Sequence, residues 1–101
     1  MSMIEVFSYR NGGKCRLYVC GHAAYHPGND IVCAGVSALV GALAQYAARH
    51  YRHVRCRLGE GNAFLAAGGG AEDGFDMAVQ GLAAIAASYP DYVRVHATVT
   101  Q

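Results

Sequence analysis

The sequence is poor in charge, in low-complexity segments and in anything that would anchor it. Only 15% of its 101 residues are Asp, Glu, Lys or Arg, and the formal net charge is +1. Nucleic-acid-binding and polybasic membrane-binding proteins need clustered excess positive charge, so an even balance argues against both. No uninterrupted apolar run approaches the roughly 20 residues that cross a bilayer. The N-terminus, MSMIEVFSYR, has no charged start, apolar h-region or small-residue cleavage site. No signal peptide is therefore expected, and the expected location is the cytosol. There is no internal repeat and no linker, unless the glycine run 68–70 is counted as one.

What is present suits one folded unit, expected over residues 1–101. A hydrophobic content of 53% can fill one core, although a chain of this size buries only part of its apolar surface. Four cysteines stand at 15, 20, 33 and 56. In a secreted protein they would suggest two disulfides; in the cytosol they are expected to stay reduced.

Residues 3–9 alternate, with Ile4 and Val6 on one side against Glu5, Phe7 and Tyr9, which predicts a strand. Asn11-Gly12-Gly13 is a tight-turn signal, and residues 14–20 read as the returning strand. Residues 23–30 read as a loop, with Pro27, Gly28 and Asn29 opposing regular structure. Asp30 is a candidate cap for a helix over 31–50, apolar on most sides and basic at its end. Val54, Cys56 and Leu58 alternate with His53, Arg55 and Arg57, predicting a half-exposed strand that turns at 59–62 and returns over 63–67. Asp73 or a neighbour is expected to cap a second helix carrying Phe75, Val79, Leu82, Ile85 and Tyr89, stopped by Pro90. Residues 92–99 alternate as one last strand. The order ββαββαβ predicts an α+β fold, with two helices packed on one face of a mostly antiparallel five-stranded sheet. The other sheet face, with Phe7, Tyr9 and Tyr18, is either partly wet or covered in a dimer.

The chemistry concentrates in GHAAYHPGNDIVCAGVSAL, residues 21–39. His22 falls just past a strand, and Cys33 falls in the first turn of a helix. First-turn N–H groups lack intrahelical partners and the dipole there favours negative charge, so a thiol is drawn toward thiolate. An imidazole in reach completes a nucleophile and base pair, and the same N–H groups can hold an oxyanion. Asp30 is itself anionic and opposes thiolate formation unless it is occupied by capping or by orienting His22. Ser37, four residues after Cys33, shares its helical face; its hydroxyl either enters the site or bonds back to the Cys33 carbonyl. Gly21 is strand-end punctuation, or it lets substrate backbone pass beside His22.

Plain alternatives stand beside each of these. Cys33 reads equally as an inert, apolar thiol at a helix start, His22 as a strand-end histidine, and His26 as a solvated loop residue. Cys15, Cys20 and Cys56 sit in strand patterns as ordinary sheet residues. Cys20, His22, His26 and Cys33 are four zinc-type ligands within a short span. They lack paired knuckles, however, and Cys33 would point along a different surface from Cys20, so no metal and no cofactor is expected. Arg52, Arg55, Arg57 and Arg94 form a cationic stripe on the sheet. Its ordinary reading is a solvated face, with no direct nucleic-acid contact expected; a non-enzymatic ribosome-associated binding module is the competing reading.

GHA at 21–23 followed by GNDIVCAGVSAL at 28–39 resembles the ribosomal-processing cysteine protease family of bacteria. The order of the other elements is similar, so the resemblance covers most of the chain. It implies a homodimeric cytosolic endopeptidase that removes a short N-terminal extension from a large-subunit ribosomal protein. It implies Cys33 as nucleophile and His22 as base, with Asp30 and Ser37 in supporting positions. The glycine-containing loop at 23–30, which carries Tyr25, His26, Pro27 and Gly28, resembles the family's mobile segment that moves aside for substrate, and Gly21 is grouped with it as a substrate-loop position. Gly35, where alanine would make a better helix, is a small departure.

Overall fold

The computed structural model describes residues 3–21, 31–96 and the backbone of 99–100. The expected loop over 23–30 and the Asp30 cap lie outside the described residues. The elements run β1 (Ile4–Asn11), β2 (Lys14–Cys20), α1 (Ile31–His50), β3 (Arg52–Gly59), β4 (Asn62–Gly68), α2 (Glu72–Ser88), β5 (Val93–Val95) and β6 (Val99–Thr100). Strands lie in the order β3-β4-β2-β1-β5, with β6 also on β1. The β1–β2, β2–β4 and β3–β4 pairings are antiparallel, whereas β5 and β6 run parallel to β1. The α+β expectation therefore holds, and the parallel edge follows from the α2 crossover.

Local chemistry explains most of this. Asn11 pairs with Lys14 across Gly12 and Gly13, whose φ values of +52° and +86° suit a two-residue turn. Cross-strand register then lines up Val6, Val19 and Ala63 on one face, with Ser8, Leu17 and Leu65 in the next row. That face meets Val32, Val36, Val40, Leu43 and Ala47 of α1, and Phe75, Ala78 and Leu82 of α2. Burying each large member contributes about 1.5–3 kcal/mol. The helices approach each other through glycine: a Cβ at Gly81 would lie 2.9 Å from Leu39, and one at Gly35 would lie 3.2 Å from Ile85 Cδ1. Gly35, a poor helix former, thus makes room for α2.

Four expectations are corrected. No side chain caps α2 within its own segment; Ala71 stands at the cap position and Asp73 lies in the first turn. The Tyr51 hydroxyl instead accepts the Gly74 N–H at 2.9 Å, a cap delivered from the end of the other helix. Burial pushes the Tyr51 phenol up, partly opposed by that N–H. Tyr51→Phe is expected to leave the N–H unsatisfied and cost about 1 kcal/mol, lowering Tm by roughly 4–8 °C; a thermal melt measures it.

The strand over 92–99 is in fact two short strands. Val6 faces Val95 but Tyr9 faces Val99, so three steps in β1 match four in the partner. β3 is exposed along nearly its whole length rather than half-exposed, because it is the sheet edge, and it carries an irregularity between Arg52 and Arg55. Finally, α1 is long and apolar enough to cross a membrane by length and composition alone, an 18-residue stretch of it having mean hydropathy 1.8. Its Ser, its two glycines and its Gln break the apolar run while leaving that mean high, so no uninterrupted apolar run marks it. One face of the helix is nonetheless committed to the core against the sheet.

Candidate active site

Cys33 is the third residue of α1, as the sequence predicts. Cys33, Ser37 and Gly41 are spaced by four and share one face of the helix. That face borders a cavity of about 300 Å³. Val36 and Val40 contribute from the same helix, Ile4 and Val19 from the sheet, and Leu58 to Ala63 from the β3–β4 hairpin. The walls are mainly apolar, with Ser37, Glu60 and Asn62 as the polar side chains. Cys33 is half-buried and packs against the core, while Ser37 is exposed.

Gly21 closes the cavity at the end of β2. Its N–H donates to the Gly61 carbonyl at 2.9 Å, tying β2 to the β3–β4 turn. Its φ is +100°, and a Cβ there would overlap the backbone carbonyl of Met3. Glycine is therefore required on two counts. Three of the predicted site residues, Gly21, Cys33 and Ser37, come together around one cavity. His22, Tyr25, His26, Gly28 and Asp30 lie outside the described residues.

The other three cysteines have different surroundings, and none of the four is in a disulfide. Cys15 is buried between the sheet and the helices, and burial pushes its thiol up; nearby Arg10 opposes the shift and Glu72 adds to it. Cys56 is exposed on the edge strand. Cys20 pairs in register with Glu5 and Asn62 on the outer row, across the sheet from Cys33. Among the described residues no three His, Cys, Asp or Glu side chains gather as a metal site; two members of the considered zinc set, His22 and His26, are not among them.

The sequence reading passed over Gly41 and the hairpin wall. Gly41 was reachable by extending the spacing of four beyond Ser37. Leu58, Glu60 and Asn62 reach the cavity only through strand pairing, and no local pattern announces that.

The family model described as cysteine protease Prp matches residues 3–94. The chain belongs to the cysteine protease Prp family. Solved structures agree with the Prp fold. The essential ribosomal processing protease Prp from S. aureus, in complex with a covalently linked product peptide, superposes with a TM-score of 0.78 at 23% identity, covering 98% of this chain and 100% of that one. The same S. aureus protease with a substrate peptide gives 0.73 at 22% identity, with coverage of 98% and 100%. SMU.848 from Streptococcus mutans gives 0.71 at 22% identity, with coverage of 98% and 99%. Comparison with the curated proteins yields no match.

Proposed function

We propose that this member of the Prp family is a Cys33/His22 endopeptidase that removes a short N-terminal extension from a large-subunit ribosomal protein. The observation that carries the reading is the shared cavity. Cys33, at the start of a helix that favours thiolate, and Gly21, the residue bonded to His22, border the same mainly apolar space. A cavity of this kind suits an apolar side chain of an extended peptide. The S. aureus relative has been captured with substrate and product peptides.

In this mechanism the Cys33 sulfur attacks the scissile carbonyl carbon, and first-turn N–H groups hold the oxyanion. His22 passes the proton to the leaving amine, which departs as the C–N bond breaks. Water then hydrolyses the thioester with His22 as base, returning the thiol. Asp30 and Ser37 orient the site. The protein acts in the cytosol as a homodimer.

Two measurements test this. Alkylation by iodoacetamide near pH 7, mapped by mass spectrometry, is expected to fall first on Cys33, with buried Cys15 as the slow internal reference. His22→Ala is expected to slow Cys33 alkylation about tenfold or more; an unchanged rate removes His22 as base. Gly41→Leu probes the cavity itself. A Cβ at Gly41 meets nothing within 4 Å, so the variant is expected to fold and to gain up to about 1 kcal/mol from helix propensity. Its side chain would nonetheless occupy the cavity, and turnover of an extension peptide is expected to drop at least tenfold. A stable Gly41→Leu variant with full turnover would move the substrate elsewhere.

A further inference from the structure

The face of the sheet turned away from the helices has a composition that peptide cleavage does not use. Register sets Arg57, Phe64, Tyr18 and Phe7 side by side in one row across β3, β4, β2 and β1. His96 extends the row by stacking on Phe7 at 4.2 Å with the rings within 6° of parallel. The next row holds Arg55, Arg16 and Tyr9. Three adjoining hollows on this face share Tyr9, Arg16, Tyr18, Phe64 and Arg55 among their linings, and no Asp or Glu lines any of them. Four of the chain's eight Lys and Arg residues line these hollows from this face, Lys14, Arg16, Arg55 and Arg57, while Arg10 borders one of them from the helix side of β1. Arg10 is held by Asp76. Glu5, a carboxylate on the same side, is held by His96 at 3.1 Å. A net charge of +1 thus conceals a face whose hollows carry cations and rings but no carboxylate.

We propose that this face binds single-stranded nucleic acid, with bases stacked on the aromatic row and phosphates on the flanking guanidinium groups. Strands spaced about 4.8 Å apart give the row room for two or three bases, the scale on which sheet platforms stack unpaired bases. An acidic peptide would answer the charge but leave Tyr18, 42% exposed, without a planar partner. A second copy of the chain would bring its own cations and no cavity-lining carboxylate to these hollows. Cys33 lies on the opposite side of the sheet, and the inference stands apart from the peptidase reading.

The test uses the full chain carrying Cys33→Ala, with a fluorescein-labelled oligouridylate or oligothymidylate of roughly 12 nucleotides, read by anisotropy at low salt. Saturable binding of either probe is expected, weakening with salt as a slope of about −0.7 for each phosphate neutralised. Tyr18→Ala and Phe64→Ala are each expected to weaken binding about tenfold, while Tyr18→Phe, which keeps the ring, retains it. Arg57→Ala is expected to reduce the salt slope, with melting curves showing that each variant is folded. No anisotropy change with either probe overturns the proposal. So does displacement by polyglutamate as effective as by unlabelled oligonucleotide, or equal binding by the Tyr18→Ala variant.

Discussion

Cys33→Ala is expected to lower cleavage of an extension peptide by about four orders of magnitude or more, the scale on which removing a covalent nucleophile acts. Stability is expected to change little. Cys33 is half-buried at the edge of the core, so truncating its sulfur removes a small contact, worth about 1 kcal/mol or less. Activity and fold are therefore expected to separate in this variant. Peptide turnover followed by mass spectrometry, alongside a thermal melt, checks both halves. Residual turnover within tenfold of the parent, in a folded protein, would transfer the chemistry to another group and end the cysteine mechanism.

Gly21→Ala is expected to do the reverse, damaging fold and activity together. Two costs coincide at this position. The backbone sits at φ +100°, and the added methyl would overlap the Met3 carbonyl, which is main chain and cannot swing aside. Gly12 supplies the contrast, with φ +52° and open space around its missing Cβ. Gly12→Ala is expected to cost only the left-handed backbone penalty, about 1–2 kcal/mol. Gly21→Ala is expected to cost about 3 kcal/mol or more, which lowers Tm by roughly 12–24 °C in a domain of this size. Relief of the overlap must move the end of β2, which is tied to Gly61 and borders the cavity, so turnover is expected to fall as well. Comparable melting temperatures for the two variants would show that the Met3 approach carries no energy.

Of the site, the sequence disclosed the pieces whose spacing is local. A helix period of four joins Cys33 to Ser37, and the position of Cys33 in the first turn follows from where the apolar helix begins. Strand alternation likewise separated Ile4 and Val6 from Phe7 and Tyr9, and the structure keeps that division. Where the reading went astray, the deciding partner was distant. Asp73 looks like a cap because its residue type and position fit, yet α2 receives its bond from Tyr51, 23 residues earlier. The span 92–99 alternates without a break, but its register on β1 slips by one residue, and period alone carries no register.

The sequence by itself determined the order of elements, the helix that presents Cys33 and the family motif, because each rests on neighbours within a few positions. Only the tertiary structure decided that the β3–β4 hairpin walls the Cys33 cavity, that Gly21 must pass under Met3, and that arginines of β2 and β3 share a face with four rings. Contacts between residues far apart in the chain are set by sheet register and helix packing, which depend on the whole core closing at once rather than on any local pattern.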